Sequence, residues 1–550
     1  GQRIGTDKWP LFADGSNMVI LADGSYMNLS AESVKKMIAA IGTVALDGEK
    51  DCFAKVTEAE QAYNNLSEEE KAKVSNLAAL NQKKADYTAA VDKLNQMISG
   101  LGTVTKDSGD AIKQAKSAYQ FYANNGGDLT KIENAGQIVK AEEEYFKLKK
   151  GEIGTTIQTK VMDGKEYYVL TNADELYWFA GLVNGTLGDG NETKADANAL
   201  LANDITVNNN LLENIILGGV TADTNKLAVQ RKWTPIKTFK GSFDGQGHAI
   251  SGLCTSVSNG DAAFIDTLSG GTVQNLEIKD FYAKGVTAAG IAHAMTDNAL
   301  IERCSTCGII DGSTRSGGLV QSAGNVTIRN SFSQSTVWIQ IDQQNSTFSG
   351  GLIGAADGIV TLENCYAACD LGSIGTRGAL IGFCRTKPAV KNCYFEKSSN
   401  GELAIGINQA NVSTVQMKSC TFEQMANGEV AYKLGKAFGQ NLAEDVYPVF
   451  NNGTNTVYAV AGSYENRSLQ TVKKMIQDIG TVALDGSEDC FLKTEEARSA
   501  FDELSKDMQK AIGSDYRDKL QKAEDAYAQV VADFEKDIRN LRPLTKDTGE

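Results

Sequence analysis

Histidine, proline and long hydrophobic runs are scarce in this 550-residue sequence. It has 2 histidines and 5 prolines against 54 glycines, and no apolar run reaches the ~18–20 residues that a membrane-spanning helix needs. Two histidines leave little for metal or acid–base chemistry that depends on imidazole. The net charge of −15 disfavours nucleic acid and anionic lipid as partners, because both are negatively charged. We therefore expect no nucleic-acid binding and no membrane insertion.

The remaining composition is that of a folded protein. Hydrophobic residues make up 42% and charged residues 22% of the chain, as in soluble globular proteins. The length predicts two to four domains. The first residues contain no signal-peptide core and the last contain no sorting signal, so we expect targeting signals to lie outside this segment.

The two ends of the chain repeat each other. The segment VKKMIAAIGTVALDGEKDC from Val34 recurs as VKKMIQDIGTVALDGSEDC from Val472, about 440 residues later. The chain is thus predicted to hold one repeat unit and the start of the next. We expect a monomer within a longer tandem array, an organisation common among secreted surface proteins.

Residues 29–150 have a helical pattern. One face is apolar at helical spacing, formed by Val34, Met37, Ile38 and Ile41. Ser67 and Glu70 form a capping box that predicts a third helix running to Tyr87. Near Val91 the pattern begins again, which predicts a second, related three-helix unit. Tyr63, Tyr87 and Tyr119 are interpreted as core residues, with a partner-binding helix face as the alternative.

From Trp233 the sequence changes to short β-type segments separated by glycine and asparagine. Five segments align at a period of about 27 residues: IERCSTCG, IRNSFSQ, LENCYAAC, VKNCYFEK and MKSCTFEQ. This period predicts a β-solenoid, in which equivalent residues of successive coils stack. The predicted columns are Cys304, Ser331, Cys365, Cys393 and Cys420, then Asn330, Asn364 and Asn392, and finally Gly290, Gly318, Gly351 and Gly378.

These segments carry a resemblance to a known family. The GGLIG-type segments, GSFDGQGHAISGL at 241–253 and WTPI at 233–236 resemble the GLUG-motif solenoids of bacterial cell-surface proteins. The segment 167–184 resembles the strand and capping helix at which those solenoids begin. The helical units resemble linker bundles of Gram-positive surface proteins, notably from gut Firmicutes. The sequence departs from the motif at His293 and Gln321, where the motif has glycine.

The resemblance implies a right-handed parallel β-helix displayed outside the cell, attached to the wall through segments beyond this chain. The predicted fold class is therefore α+β and multidomain, a right-handed parallel β-helix flanked by α-helical bundles. The predicted domains are 1–28, terminal strands of a preceding β-helix; 29–150, a bundle; 151–465, the β-helix with its capping helix; and 466–550, the next bundle.

Candidate chemical sites are few. Cys304 and Cys307, like Cys365 and Cys369, are interpreted as structural, with a disulfide or a zinc site left open. Asp244 in FDGQGH is interpreted as a turn residue, because no second carboxylate is paired with it for glycoside hydrolysis. Calcium is left open at two acidic loops, Asp47 to Asp51 and residues 188–196. No catalytic, metal or cofactor residue is assigned.

The sequence thus favours a protein that is not an enzyme. We expect a surface adhesin or an array that binds a host protein or glycan, with immunoglobulin as one candidate partner of the bundles. The alternative is a polysaccharide lyase or hydrolase, or a carbohydrate-binding β-helix. Trp338 is the tryptophan left for binding a sugar, since Trp178 and Trp233 are assigned to the core.

Overall fold

A parallel β-solenoid follows one helical bundle and precedes another. The computed structural model describes Ile4 and residues 18–22, 25–188, 193–341, 347–397, 403–442, 444–460, 462–466, 469–502, 504 and 506–540. The fifteen α-helices among these residues are α1 Ala31–Ala39, α2 Cys52–Asn64, α3 Glu68–Lys71, α4 Leu77–Ser99, α5 Gly109–Asn124, α6 Gln137–Thr156, α7 Ala173–Asn184, α8 Leu211–Ile215, α9 Thr224–Ala228, α10 Phe422–Ala426, α11 Glu429–Leu434, α12 Leu469–Asp478, α13 Cys490–Asp502, α14 Lys506–Ala511 and α15 Ser514–Asn540.

Helices α1 to α6 pack as the first bundle. Its core surrounds Phe53, which is fully buried and meets the rings of Tyr87 and Tyr122 edge-on at centroid distances of 5.1 and 4.8 Å. The Ser67 hydroxyl accepts a hydrogen bond from the Glu70 amide at 3.3 Å, as a cap should. The predicted third helix is nevertheless broken, because α3 ends at Lys71 and α4 begins at Leu77.

Helix α4 then continues through Val91 to Ser99 without interruption. The point where the sequence pattern begins again is therefore inside a helix. Repetition of an apolar pattern does not by itself mark a helix start, since a cap residue is also needed.

The solenoid has one long side made of nine strands. All neighbours in this sheet are parallel except the first pair, an antiparallel hairpin that covers the edge. The strands are Thr159–Met162, Lys165–Leu170, Asn198–Leu201, Ser242–Asp244, Thr272–Gln274, Leu300–Glu302, Val326–Arg329, Val360–Glu363 and Ala389–Lys391. Helix α7 caps this end. Its N-cap is Asn172, whose side chain accepts from the Glu175 amide, and its C-cap is Gly185, with φ of 68°.

A second, continuous sheet of nineteen strands forms the other sides of the coils. Its strands are Ile205–Thr206, Ile236–Phe239, Ala249–Ser251, Cys254–Ser256, Asp261–Ala262, Ile265–Ser269, Glu277–Ala289, Ala292–Thr296, Ser305–Gly317, Val320–Ala323, Phe332–Ser333, Thr336–Ile339, Phe348–Gly350, Ile353–Ala356, Tyr366–Ala367, Thr376–Cys384, Cys393–Glu396, Leu403–Asn408 and Met417–Cys420. The prediction of a parallel β-helix with helical bundles is confirmed.

Four further hairpins complete the described strands. They pair Val19–Ala22 with Ser25–Asn28, Ile216–Gly218 with Thr221–Ala222, Phe438–Gly439 with Val449–Phe450, and Val457–Val460 with Ser463–Asn466. Of the predicted 1–28 strands, residues 1–3, 5–17, 23 and 24 lie outside the described residues.

The asparagine column forms as the period predicts. Asn392 donates to the Asn364 side-chain oxygen at 2.9 Å, and Asn364 donates to that of Asn330 at 3.2 Å. All three residues have φ of 50° to 53°, the left-handed conformation that asparagine tolerates better than most residues. The ladder therefore satisfies both the turn geometry and the amide hydrogen bonds of successive coils.

Two of the other columns differ from the prediction. Cys304, Ser331, Cys365 and Cys393 stack, but the next coil is shorter and pairs Cys393 with Met417, so Cys420 lies outside the column. Gly378 likewise pairs with Gly350 rather than with Gly351. Both differences arise because backbone register, and not similarity of short motifs, decides which residues stack.

Candidate functional site: a polar groove at the bundle–solenoid joint

The first bundle is fixed to the solenoid by aromatic and charged contacts. The Arg231 guanidinium lies 3.9 Å from the ring centroid of Tyr177 and 2.7 Å from the Asp174 carboxylate, both on α7. Phe146 of α6 meets Tyr177 edge-on at 6.2 Å. Val229, just after α9, is part of the bundle core. Bundle and solenoid thus share one packed joint.

A segment of the solenoid, residues 209–229, reaches this joint across the outer face of the coils. Its Leu211 and Ile215 are fully buried against Cys254 and Tyr282. The Asp280 carboxylate accepts hydrogen bonds from the first amides of α8, those of Leu211 at 2.6 Å and Leu212 at 2.9 Å. The segment is therefore held at both ends.

A groove of about 430 Å³ runs along the joint. Lys113 and Lys116 line it from α5, and Arg231 and Asp174 line it from the solenoid. Lys116 Nζ lies 2.8 Å from Oε1 of Glu142 on α6, and both side chains are less than a fifth exposed. Acidic and basic groups thus face the same groove, where a charged peptide or glycan could pair with either sign.

Two other concavities are less suited to a charged partner. One of about 730 Å³ lies between α4 and the start of α6 and is lined mainly by amide and carboxylate side chains, with Lys140 as its cation. Another, of about 540 Å³, lies between the C-terminal coils and the second bundle and includes Tyr432, Tyr458 and Met475. We therefore treat the joint groove as the candidate site.

The tyrosines named from the sequence are mostly part of the core. Tyr87 is 6% exposed, and its hydroxyl accepts from the Asp128 amide at 2.8 Å. Tyr119 is 3% exposed, and burial raises its pKa to about 12, with Asp223 adding to the shift. Tyr63 is half-buried at the edge of the bundle core. Neither Tyr87 nor Tyr119 offers its ring to a partner in this conformation.

Trp338 is also enclosed. Its indole packs against the cluster formed by the 209–229 segment and lies between Gly219 and Gly372, where an added Cβ would come within 3.7 and 3.0 Å of the ring. It is half-buried, and its Nε1 has no hydrogen-bond acceptor among the residues that the structure describes. An indole held in this way is better suited to packing within the fold than to stacking on a sugar.

Asp244 is a structural turn residue. It is 4% exposed, and its two oxygens accept from Gln246, Gln274 and Asn275 at 2.7 to 3.0 Å. A carboxylate with every lone pair engaged is not available as an acid or nucleophile. His248, in the same turn, pairs instead with Asp204 at 3.2 Å.

Within the described residues, the first loop at which calcium is left open has no group of three His, Cys, Asp or Glu ligand atoms around Asp47, Glu49 or Asp51. The carboxylate of Glu49 accepts from the Thr43 amide at 3.1 Å. Residues 189–192 of the other loop lie outside the described part of the chain. A different group, formed by Asp261, Asp266 and His293, does bring its ligand atoms together.

All ten cysteines are free thiols, so the disulfide alternative is not formed. Eight are buried, Cys369 is half-buried, and Cys307 is exposed. Burial raises the pKa of Cys304 and Cys369 to about 12 and that of Cys384 to about 11, so these groups remain protonated at neutral pH.

We expect one thiol to react in the folded chain. Burial raises the pKa of Cys307 as well, but its thiol is exposed, so maleimide at pH 7.5 should label Cys307 alone, while the unfolded chain takes up label at all ten positions. Intact-mass spectrometry measures the count. Cys307→Ser should remove the fast label, and labelling of Cys304 at a similar rate would contradict the buried column.

Two glycines of α6 allow a test of the joint. A Cβ added at Gly154 would lie 2.7 Å from Trp178 Nε1, whereas one added at Gly151 meets nothing within 4 Å. Gly154→Ala should therefore destabilise the protein by about 1–3 kcal/mol. Gly151→Ala should stabilise it by about 0.5–1 kcal/mol, because alanine favours the helix. Urea denaturation monitored by helical circular dichroism compares the two, and equal shifts would contradict the packed joint.

No helix of the described residues has the length and apolar character to cross a membrane. No known protein family matches the chain. A segment of 173 residues, 30% of the chain, is 30% identical to an immunoglobulin A1 protease of Streptococcus sanguinis. Another of 88 residues, 16% of the chain, is 38% identical to halomucin of Haloquadratum walsbyi. The chain spans 9% and 1% of these two proteins.

Solved structures give weaker matches. A candidate immunoglobulin A1 protease from Bacteroides ovatus matches over 53% of this chain and 93% of its own, with 14% identity and a TM-score of 0.35. A structure named IgA1 Protease matches over 47% of this chain and 19% of its own, with 17% identity and a TM-score of 0.29.

The expectation that the protein is not an enzyme is contradicted by the match to the streptococcal protein. The streptococcal relative is named as a protease, and proteases are enzymes. The expectation was drawn from the lack of a catalytic motif in 550 residues. These residues cover only a small part of the relative, so that lack does not describe the whole protein.

Proposed function

We propose that the chain is part of an extracellular protein of the immunoglobulin A1 protease type, and that it binds the immunoglobulin through the joint groove. Catalysis is proposed for the whole protein, to which this chain contributes binding of the substrate. The observation that carries the proposal is the 30% identity to the streptococcal immunoglobulin A1 protease over 173 residues. The GLUG-type resemblance of the solenoid supports display on the surface of a Gram-positive cell.

The charges of the groove support this choice of site. The chain has a net charge of −15, yet Lys113, Lys116 and Arg231 line one groove together with Asp110 and Glu142. A partner with a mixed-charge surface, such as an immunoglobulin, can pair with such a site, and pairs of this kind mainly set specificity and association rate. The groove also lies between two units of the chain, a common position for ligand sites.

The repeated bundle supports binding in an array. Helix α13 begins at Cys490 as α2 begins at Cys52, and the preceding residues Asp489 and Asp51 share a φ near 57°. Several repeat units on one protein would raise avidity for a multivalent partner without any new contact. The tandem array thus forms part of the proposal.

Binding of the whole 550-residue chain to human immunoglobulin A1 tests the proposal. Surface plasmon resonance should detect binding to immunoglobulin A1, and Lys113→Glu, which reverses one exposed charge of the groove, should weaken it about tenfold. Lys93→Glu is the matched control, since Lys93 is an exposed lysine on α4 that does not line the groove. Its affinity should stay within twofold of the parent chain.

Two results would count against the proposal. If the folded chain does not bind immunoglobulin A1, this immunoglobulin is not its partner. If Lys113→Glu and Lys93→Glu have equal effects, the joint groove is not the binding site. Binding that is abolished by deglycosylating the immunoglobulin, and restored by the free glycan, would instead support the carbohydrate-binding alternative.

A further inference from the structure

We propose that Asp261, Asp266 and His293 form a site for a divalent transition-metal ion, with Zn²⁺ as the ion that fits best. Among the residues that the structure describes, these three form the group of His, Cys, Asp or Glu side chains whose ligand atoms all lie within 4.8 Å of one another. The site is on the solenoid and is independent of the joint groove. It uses one of the two histidines in the chain.

The distances suit a common ion. His293 Nδ1 lies 3.0 Å from Asp266 Oδ1 and 3.6 Å from Asp261 Oδ2. Ligand atoms about 2.1 Å from a tetrahedral Zn²⁺ are about 3.4 Å from one another. The observed spacings bracket this value, so an ion requires shifts of only a few tenths of an ångström in side chains that are 22% to 41% exposed.

The backbone places these ligands on neighbouring coils. Ile265 pairs with Ala292 and Thr267 with Ala294, so Asp266 and His293 occupy equivalent positions one coil apart. Asp261 comes from the strand that pairs with Thr287, also on the next coil. The site therefore joins two successive coils, and the rigid ladder holds the ligands in place without an ion.

The column that contains His293 has Lys237 and Asp266 at the equivalent positions of the two preceding coils. The positions equivalent to it in the following coils are Gln321, Gly354, Gly382 and Gly406, as the strand registers show. The column therefore changes to neutral or small side chains after His293, whose imidazole lies within reach of two carboxylates. His293 departs from the repeat at the place where two carboxylates lie close to it. This coincidence favours a role for His293 as a metal ligand.

The donor set selects the ion. One imidazole nitrogen with two carboxylate oxygens suits Zn²⁺ and similar transition ions, whereas Ca²⁺ and Mg²⁺ take oxygen ligands. The second oxygen of Asp261 accepts from the Thr287 hydroxyl at 2.6 Å, which leaves Oδ2 turned towards His293. Three protein ligands leave a fourth tetrahedral position for water or for a carboxylate or imidazole of a bound partner.

Zinc titration of the whole chain tests the site. After EDTA treatment and dialysis, isothermal titration with ZnCl₂ should show one ion per chain. His293→Gln should lower the affinity at least about 100-fold, since it removes the nitrogen ligand. Glutamine is tolerated by the fold at this position, because Gln321 occupies it one coil later. Asp266→Asn, similar in size but neutral, should give a similar loss.

Two controls separate this site from other donors. His248→Gln removes the other histidine, which pairs with Asp204 alone in a different turn, and should leave zinc affinity unchanged. All titrations are repeated in the Cys307→Ser background, which removes the exposed thiol. Cobalt substitution adds a readout of geometry: a visible absorption band of tetrahedral Co²⁺ should appear in the parent chain and be absent in His293→Gln.

The proposal is overturned if the parent chain gives no heat of zinc binding, or if His293→Gln binds zinc as tightly as the parent. Zinc binding that disappears in Cys307→Ser and not in His293→Gln would also overturn it, because the thiol would then be the donor. Immunoglobulin binding has no part in these measurements, so the two proposals succeed or fail separately.

Discussion

Replacing Phe179 by alanine is expected to destabilise the solenoid by about 3–5 kcal/mol, the usual range for a large aromatic side chain removed from a core. Phe179 lies on the capping helix α7 and is fully buried. Its ring meets those of Phe239 and Phe243 at centroid distances of 6.2 and 6.0 Å. The cavity would open where the cap meets the first coils, and a solenoid needs its cap to protect the end of its core.

Native-state hydrogen exchange of the first coils measures this loss. Val161→Ala is the control at the same end of the solenoid, because Val161 is 69% exposed on the covering hairpin. It should change the opening free energy by less than about 0.5 kcal/mol. A loss below about 1 kcal/mol for Phe179→Ala would show that α7 does not share the solenoid core.

Replacing Gly350 by alanine is expected to destabilise the central coils by about 3 kcal/mol, at the upper end for overpacked sites. A Cβ there would lie 1.9 Å from the Ile353 carbonyl oxygen and 2.6 Å from the Gly382 nitrogen, both backbone atoms. Backbone cannot move aside as a flexible side chain can. The equivalent glycines Gly317 and Gly378 have the same close approach, at 1.9 and 1.8 Å.

Hydrogen exchange of residues 347–384 and the thermal transition of the solenoid should both report the effect. Gly151→Ala, placed in a helix with open space around it, is the matched control and should not lower either quantity. If Gly350→Ala were as stable as the parent chain, the coils would have to be spaced more widely than this structure has them.

Periodicity in the sequence predicts the solenoid and much of its interior. The aligned motifs around Asn330, Asn364 and Asn392 predict their hydrogen-bonded ladder, which forms although these residues are 34 and 28 positions apart, because the strands beside them keep their register. The prediction is wrong for Cys420, because the last coil is shorter and Met417 takes the stacked position. Coil length depends on loops whose conformation a repeated motif does not encode.

The candidate sites are harder to predict. The groove has Lys113 on one wall and Arg231 on the other, residues distant in sequence that meet because Arg231 packs on Tyr177 at the joint. No local sequence pattern indicates that Lys113 and Arg231 face each other across a groove. His293 did give a signal, its departure from the glycine of the motif, but its partners Asp261 and Asp266 become evident only from the register of the coils.

Helical spacing alone does not decide which tyrosines are exposed, although the interpretation of Tyr87 and Tyr119 as core residues agrees with their burial. Tyr87 and Tyr119 lie on apolar faces that could have been a binding surface or a core, and the position of neighbouring elements decides between the two. Tyr87 packs on Phe53, and Tyr119 lies close to Asp223 of the solenoid segment. The joint that forms the groove therefore also buries Tyr119, one of the binding candidates from the sequence.

Hydrogen exchange of the whole chain with and without human immunoglobulin A1 shows whether the immunoglobulin binds in the joint groove. We expect added protection in α5, residues 109–124, and in Thr206, Val207, Asn209 and Arg231, which line the opposite wall of the groove. Exchange in α4 and in the coils beyond residue 347 should remain unchanged. Protection confined to those regions, or no protection anywhere at saturating immunoglobulin, would contradict the claim that the groove binds the immunoglobulin.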